Sequence, residues 1–295
     1  MLRDIGAEDP AVAAIAAQIV TAAPDVLVLT DFDYDLDGLA LAAFLDQLGD
    51  RFSYAYASRP NAGIATGLDL DGNGRSGEAR DAQGYGRFAG DGGLAVLSRY
   101  PIDADAVTDF SDLLWRDLPG AVLPQTATGP FLGPEVQAVL RLSSTVHWVV
   151  PVNLPDGPPL QLLAWAATPP VFDGPEDMNG LRARDELRLW EVLLDGGFGP
   201  PPIDFVLTGN SNLDPLAGDG DRAAMAAFLR RPDLTDAHDG QVNADWGAEG
   251  PGALRVSYVL PAATWRVVAA GTQEVSDSDA ALVGPHRLVW VEIAR

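Results

Sequence analysis

The stretch HWVVPVNLPDGPPLQLLAWAATPP, residues 147–170, contains two apolar runs on either side of a turn-forming sequence. Residues 149–153 and 160–166 are rich in β-branched and large apolar side chains, which favours strands. The intervening Pro-Asp-Gly-Pro sequence favours a turn, because Pro fixes its own backbone and Gly accepts a positive φ. The stretch therefore predicts a β-hairpin.

Outside this hairpin, strand patterns and helix patterns alternate along the chain. A helix is predicted over residues 10–23, with Asp9 as its N-cap and Pro10 in the first helical position. Further helices are predicted over residues 38–47, 182–194 and 222–230, and strands over residues 26–30, 52–56, 93–98, 204–208, 255–260, 265–270 and 288–293. This order predicts an α/β (α+β) fold of two packed sheets with helices outside. We expect one domain over residues 1–295.

The composition excludes several classes of protein. The 295 residues contain 19 basic residues, all Arg, and 42 acidic residues, so the net charge is −23. A surface this acidic repels polyanions, so we expect neither bulk nucleic-acid binding nor binding to anionic membranes. The absence of Cys excludes disulfide frameworks, thiolate metal sites and cysteine nucleophiles. No apolar run is long enough for a transmembrane helix, and the first residues lack a signal-peptide pattern.

Eight segments, in order over nearly the whole chain, carry motifs of a known family. They are PDVLVLTDFDYD (24–35), GYGRFAGDGGLAVLSRYPI (84–102), LLWRDLPGA (113–121), RLSSTVHWVVPV (141–152), LLAWAATPPVFDGPEDMNG (162–180), FVLTGNSNLDP (205–215), LRVSYVLP (254–261) and PHRLVWVEI (285–293). Together they resemble the endonuclease/exonuclease/phosphatase superfamily. The resemblance is greatest to the family's bacterial branch of secreted phosphoesterase-like proteins, which are often exported. It implies a four-layered αββα sandwich of two packed mixed sheets and metal-dependent hydrolysis of phosphate esters.

At the positions where such enzymes carry their active-site groups, this sequence departs from the pattern. Asp31 stands where the family has its metal-binding Glu, Ala166 where it has a catalytic His, and Asn210 where the Gly-Asp-x-Asn turn has its Asp. Pro285 replaces the Asp of a terminal Asp-His pair, and Ser257 stands where many relatives have Asp. The first strand of the family, which carries an Asn, has no counterpart here.

These departures imply a degenerate active site. The main hypothesis is a pseudoenzyme that acts by binding a protein partner or a small anion. The alternative is a divergent Mg²⁺-dependent phosphodiesterase, phosphatase or nuclease, with Asp31 as a possible Mg²⁺ ligand and Asn212 and His286 as residual candidates. His147 is a further candidate for a functional residue at the cleft; the alternative is that it is a structural histidine buried in the core.

Other charged and polar residues have two interpretations each. The forked guanidinium groups of Arg99, Arg182 and Arg184 fit an anion such as phosphate, so one interpretation is an anion site. We expect instead that the three arginines lie at the surface and balance acidic groups. Asn212 and Asp214 are expected to stabilise their own turn. His238 lies in a polar loop and is expected to be solvated. A sandwich without its first strand exposes an unpaired edge, so we expect either a strand donated by a partner chain or a rearranged N-terminus.

Residues 69–78 resemble the first half of an EF-hand calcium loop. Asp69, Asp71 and Asn73 occupy positions 1, 3 and 5, and Gly lies at positions 4 and 6. Position 12 is Arg80 rather than Glu, so Glu78 or Asp81 would have to supply the remaining oxygens. The loop predicts a structural Ca²⁺ site, with a turn-rich surface loop as the alternative.

Overall fold

The computed structural model describes residues 1–7 and 9–295. The helices are α1 (Leu2–Gly6), α2 (Pro10–Ala22), α3 (Leu39–Leu48), α4 (Pro134–Gln137), α5 (Met178–Leu194), α6 (Arg222–Leu229) and α7 (Asp277–Val283). The strands are β1 (Val26–Thr30), β2 (Tyr54–Tyr56), β3 (Leu94–Ser98), β4 (Thr108–Asp109), β5 (Gln125–Thr126), β6 (Gly129–Pro130), β7 (Val146–Val152), β8 (Leu160–Ala166), β9 (Phe205–Asn210), β10 (Ala244–Asp245), β11 (Ala253–Leu254), β12 (Ser257–Pro261), β13 (Arg266–Thr272) and β14 (Val289–Ala294).

The predicted hairpin forms the middle of a five-stranded sheet. Strands β7 and β8 pair antiparallel from Val146 opposite Ala166 to Val152 opposite Leu160. The sheet order is β12-β9-β8-β7-β4, and β8 and β9 are its parallel pair. Both hairpin strands are almost wholly buried, as expected of strands that read as continuous apolar runs.

A second, three-stranded antiparallel sheet has the order β1-β3-β2. Strand β1 packs over β8 and β9 of the larger sheet, which places the two sheets face to face. Strands β13 and β14 form a separate two-stranded sheet, and β14 packs over β12. In the described residues the five-stranded sheet is mixed, whereas the three-stranded sheet is wholly antiparallel, so the expectation of two mixed sheets is wrong. The prediction of an α/β fold with packed sheets is confirmed.

Two apolar clusters stabilise these layers. The larger one lies between the sheets and around α5, and four tryptophans form its most deeply buried part: Trp115, Trp148, Trp165 and Trp190. The smaller one packs α1, α2 and α3 on the outer face of β1 and β3, with Ile19, Phe44 and Leu97 at its centre. Helices α2 and α7 also pack on each other. Burial of these aliphatic and aromatic side chains is the dominant favourable term in folding.

The predicted elements agree with the structure, although some ends shift. Asp9 caps α2 by accepting a hydrogen bond from the amide of Ala11 at 2.8 Å, and Pro10 opens the helix. Helix α5 begins at Met178, four residues before the predicted start. Its polar residues Arg182, Asp185 and Glu186 are buried together with the apolar face, and Arg184, Arg188 and Glu191 form the partly exposed stripe of the helix. No described helix has the length and apolarity needed to cross a membrane.

Candidate active site

Three of the positions at which the sequence is expected to depart from the family pattern lie side by side at one end of the five-stranded sheet. Ala166 ends β8 directly opposite Asn210, which ends the parallel strand β9. On its other side, Asn210 pairs with Ser257, the first residue of β12. Gly209 has φ +149° and a Cβ there would lie 1.9 Å from the carbonyl oxygen of Trp165, so this position requires glycine. The sheet therefore places a methyl group, an amide and a hydroxyl in one row.

The side chain of Asn210 is engaged in a turn with Asn212. Its Nδ2 donates to Oδ1 of Asn212 at 3.0 Å, and its Oδ1 accepts from the amide of Asn212 at 3.2 Å. Nδ2 of Asn212 donates to the carbonyl oxygen of Ala167 at 2.7 Å, and Asn212 has φ +55°. The two amides thus fasten the β9 end to the segment that follows β8.

Asp214 continues the same turn. It is 7% exposed and its carboxylate accepts from three backbone amides, those of Leu216, Ala217 and Arg255, at 2.6–2.9 Å. A carboxylate saturated by backbone donors holds the loop in shape. The expected turn-stabilising arrangement of Asn212 and Asp214 is present.

The loop of residues 59–93 joins the two sheets at this same end. The amide of Asn61 donates to the carbonyl oxygen of Thr145, just before β7, and its Nδ2 donates to the carbonyl oxygens of Ser111 and Ser143 at 2.7 and 2.8 Å. Gly84 packs so closely on Ser144 that a Cβ would lie 1.7 Å from its carbonyl oxygen. This long loop is therefore a structural bridge between the two sheets.

Asp31 follows β1 at the bridged end. Its backbone has φ +58°, and the residue is exposed. Desolvation, together with the negative charges of Asp33 and Asp91, raises the pKa of Asp31. Asp33 accepts from the N-terminal amine of Met1 at 3.1 Å and from the amide of Gly92 at 3.1 Å. The end of β1 is thus a concentration of carboxylates.

His286 lies on the far side of the row, beyond β12. Asn243 connects the two: its Oδ1 accepts from the Ser257 amide at 3.1 Å, and its carbonyl oxygen accepts from the Arg287 amide at 2.8 Å. The imidazole of His286 packs edge-on against Trp246, with ring centroids 5.2 Å apart. Burial, reinforced by the charge of Arg287, lowers the pKa of His286.

No carboxylate hydrogen-bonds to the His286 ring within residues 1–7 and 9–295. The carbonyl oxygen of Pro285, the residue before His286, accepts from the Asp245 amide at 3.0 Å. The chain therefore holds His286 half-buried, without the acidic partner that would orient it as a general base.

The other two histidines do not reach the row of candidate residues. His147 is 0% exposed, with Nδ1 at 2.8 Å from Oγ of Ser143 and Nε2 at 3.1 Å from the carbonyl oxygen of Glu186. Burial lowers the pKa of His147 to about 3, so it is a neutral core residue. His238 was expected to be solvated, but this is wrong: it is 1% exposed, and its Nε2 lies 2.9 Å from the carbonyl oxygen of Trp290.

Arg182 was expected at the surface, and this too is wrong. Its guanidinium is buried and donates to the carbonyl oxygens of Gln83, Arg141, Leu142 and Ser143. Those carbonyls come from two loops at the candidate site, so Arg182 holds the loops rather than an anion. Arg99 and Arg184 remain partly exposed and pair with acidic groups, as expected: Arg99 with Asp25, and Arg184 with Asp185 and Asp221.

Glu186 was not detected as important in the sequence. It is fully buried one helical turn after Arg182 on α5, and its carboxylate accepts from the amide and Oγ of Ser144 and from the amide of Thr168, all at 2.6–2.7 Å. Burial raises the pKa of Glu186, against the opposing charge of Arg182. Thr168 lies two residues after Ala166, so Glu186 fixes the end of β8. Only its i+4 spacing from Arg182 could have indicated this role.

A separate acidic group lies in the loop of residues 69–81. Oxygens of Asp69, Asp71 and Asp81 lie within 4.8 Å of one another, close enough to hold a metal ion together. Asp81 belongs to this group, whereas Glu78 accepts from Nδ2 of Asn73 at 2.7 Å. Arg80 pairs with Asp71 at 2.9 Å. Of the two alternatives that the sequence left for the remaining oxygens, the structure brings Asp81 to the group.

Two stacked sheets flanked by helices, with polar positions gathered at one end, define a domain of the phosphoesterase fold. The sequence profile of the Endonuclease/Exonuclease/phosphatase family matches residues 3–279, and the chain belongs to that family. The curated proteins contain no match.

Solved structures of the same family share the fold. An endonuclease/exonuclease/phosphatase from Beutenbergia cavernae DSM 12333 is 18% identical, with a TM-score of 0.61 over 96% of this chain and 65% of that one. A family protein from Leptotrichia buccalis C-1013-b is 14% identical, with a TM-score of 0.56 over 97% of this chain and 93% of that one. The 3′ phosphatase NExo from Neisseria, solved with a product DNA hairpin, is 14% identical, with a TM-score of 0.54 over 95% and 93%. This chain thus spans just under two thirds of the Beutenbergia protein.

Proposed function

We propose that this chain retains the phosphoesterase fold without the reaction and acts as a binding protein. The observation that carries the proposal is the row of Ala166, Asn210 and Ser257 on three neighbouring strands. A methyl group neither donates a proton nor stabilises charge on a phosphate. A neutral amide attracts Mg²⁺ weakly compared with a carboxylate, and a serine hydroxyl adds no negative charge. The row therefore lacks the groups that metal-dependent hydrolysis needs.

The groups that remain do not compensate for these losses. General acid–base help and electrostatic stabilisation each contribute roughly 10²–10⁴ in rate, so the loss of several leaves little turnover. Both polar atoms of the Asn210 side chain are engaged by Asn212. His286 has no acidic partner in the described residues, and Pro285 cannot supply one. These contacts support a site that is inert in the form seen here.

The competing hypothesis is a divergent Mg²⁺-dependent phosphodiesterase that uses Asp31, Asn212 and His286. Calorimetry with Mg²⁺ or Mn²⁺ discriminates the two, provided that the separate acidic loop is silenced by Asp71→Asn. In that background we expect no saturable site in the low-millimolar range or tighter. A saturable site that Asp31→Asn removes would favour the enzyme and contradict the proposal.

The acidic loop supports a second, structural role for a cation. We propose that Asp69, Asp71 and Asp81 hold Ca²⁺, which prefers six to eight oxygen ligands in a flexible arrangement. Asp69 also accepts from the amides of Gly72 and Gly74 at 2.8 and 2.7 Å, which curls the loop around the acidic oxygens. Bound Ca²⁺ would replace the Arg80 guanidinium as the positive charge beside Asp71.

A further inference from the structure

Strand β1 has one unpaired edge although its two faces are covered. Val26 and Val28 pack into the core between the sheets, whereas Leu27 and Leu29 pack against the helix layer. Strands buried on both faces are normally interior strands of a sheet. Strand β1 is nevertheless at the end of its sheet, because β3 is the one strand that pairs with it in residues 1–7 and 9–295.

The hydrogen-bond register shows which backbone groups face the open side. The Arg99 amide bonds the Asp25 carbonyl oxygen, so alternate residues Leu27 and Leu29 face β3. The amides and carbonyls of Val26, Val28 and Thr30 therefore point away from β3. Within the part of the chain that the structure describes, no strand pairs with this edge.

Strand β14 offers a second open edge in the same layer. It packs over β12, and β1 packs over β8 and β9. Because β14 and β1 also share an apolar cluster, we place them on the same face of the five-stranded sheet. Leu288, just before β14, joins the cluster that contains Leu27 and Leu29. The Gln273 amide bonds the Leu288 carbonyl oxygen, so Val289 and Val291 direct their backbone groups away from β13.

The two edges have few of the features with which proteins protect exposed edges. Strand β1 reads VLVLT, without charge, Pro or bulge, and β14 reads VWVEIA, with Glu292 as its single charge. The residues of β1 are half-buried or exposed, whereas every residue of its neighbour β3 is buried. A β-bulge in β13 opposite β14 and the charge of Glu292 are the protective features on the β14 side, whereas β1 has neither. Apolar edges with little protection are templates for another strand.

The ends of the slot between β1 and β14 (the edge slot) indicate the charge of its occupant. Strand β1 ends at the carboxylates of Asp31, Asp33 and Asp91, of which Asp33 is paired with the N-terminal amine of Met1. Strand β14 begins at the same end of the fold, where Asn243 bonds both the Arg287 amide and the Ser257 amide. The whole chain carries a net charge of −23. A segment with positive charge at this end would be attracted, and an acidic one would be repelled.

We propose that the edge slot accepts a strand donated by a partner polypeptide: five or six extended residues, apolar on both faces, with a basic residue beside Asp31. The donated strand would be parallel to one edge and antiparallel to the other, because β1 ends where β14 begins. Main-chain hydrogen bonds to both edges would provide affinity, and the side chains on its two faces would enter the two apolar clusters. The inference rests on the proposed binding function and names the class of partner that would be bound.

The test uses the full chain and a synthetic peptide, acetyl-Arg-Ile-Val-Ile-Val-Ile-Arg-amide, with a control peptide whose central Ile is replaced by Pro. Residue-resolved amide exchange is the readout. In the free protein the amides of Val28, Val289 and Val291 should exchange rapidly, whereas that of Leu27 should be slow. The first peptide should slow the open-edge amides by about tenfold or more and leave Leu27 unchanged; the control peptide should do neither.

The matched protein variant is Val28→Pro, which removes an amide facing the edge slot and leaves the β1–β3 hydrogen bonds in place. It should melt close to the unmodified protein and bind the peptide about tenfold or more weakly. If Val28→Pro fails to fold, Val291→Pro serves the same purpose on β14.

Three results would overturn the inference. The first is slow exchange of the open-edge amides in the free monomer, and the second is equal affinity for the two peptides. The third is protection of these amides that appears with rising protein concentration alone, because the occupant would then be a second copy of this chain. Turnover of a phosphodiester that appears only with peptide bound would overturn the inert proposal and leave the donated strand standing.

Discussion

Ala166 and Asn210 are paired at the last positions of the parallel strands β8 and β9, so a methyl group and an amide adjoin at the centre of the candidate site. Ser257 adjoins Asn210 on its other side. The three strands are hydrogen-bonded in a fixed register, so a small movement of the backbone cannot bring other residues into these positions. The chemistry of the site is determined by what these positions carry.

Restoring a single group should not restore the reaction. Ala166→His places an imidazole in the row, but Asn210 and Pro285 still lack carboxylates. Residues of one catalytic unit act non-additively, so we expect turnover of an aryl phosphodiester to remain at background. The measurement is steady-state hydrolysis with Mg²⁺ or Mn²⁺, with circular dichroism as the control for folding. A metal-dependent rate at least about tenfold above background would contradict this prediction.

The buried Arg182 should matter far more to stability than an exposed arginine on the same helix. Arg182→Met removes the guanidinium donor from the carbonyl oxygens of Gln83, Arg141, Leu142 and Ser143, of which that of Ser143 keeps its hydrogen bond from Asn61. It also removes the positive charge that stabilises the buried carboxylate of Glu186. We expect a loss of roughly 3–5 kcal/mol in the free energy of unfolding. Arg188→Met is the control: it breaks a partly exposed pair with Glu191 and one exposed hydrogen bond to the Pro119 carbonyl oxygen, and should cost about 1 kcal/mol. Equal losses in urea denaturation would show that the guanidinium does not hold the loops.

His147 should make the folded state sensitive to acid. Its pKa is about 3 in the folded protein and about 6.5 when unfolded. The unfolded chain therefore takes up the proton first, and the stabilisation present above pH 6.5 is lost as the pH falls toward 3. Between pH 7 and 4.5 this contributes about 2–3 kcal/mol to the decrease in the free energy of unfolding. In His147→Gln that contribution should be absent, so parallel pH profiles for the two proteins would refute the assignment.

Chelation should destabilise protein that has been prepared in calcium, because a cation bound only to the folded state stabilises it. At Ca²⁺ about 100-fold above its dissociation constant, we expect excess chelator to lower the melting temperature by roughly 5 °C. Asp71→Asn is the matched control and should show a much smaller shift. An unchanged melting temperature in the unmodified protein would refute the Ca²⁺ site.

Much of the fold was predictable because it depends on local pattern. The apolar runs of β7, β8 and β1 read directly as strands, and Asp9 with Pro10 marked the start of α2. The positions of Asp31, Ala166 and Asn210 followed from the family resemblance, and the register of β8 and β9 brings the last two together.

The buried polar network was not predictable from pattern. Arg182, Glu186 and His238 are polar residues whose burial depends on loops far away in the chain, and a composition-based expectation places such residues at the surface. Whether a charged side chain can be buried is decided by the donors and acceptors that tertiary structure supplies. The carbonyls around Arg182 come from positions about 40 and 99 residues away in sequence, which no local window contains.

The most direct test of the central claim is hydrolysis of an aryl phosphodiester and of plasmid DNA by the purified full chain, with Mg²⁺, Mn²⁺ or Ca²⁺. Asp31→Ala and His286→Ala proteins prepared in the same way are the controls. We predict that all three proteins stay at background with every metal. Metal-dependent turnover by the unmodified protein that either substitution abolishes would contradict the account and establish a divergent phosphoesterase, whereas turnover that survives both would identify a contaminating enzyme.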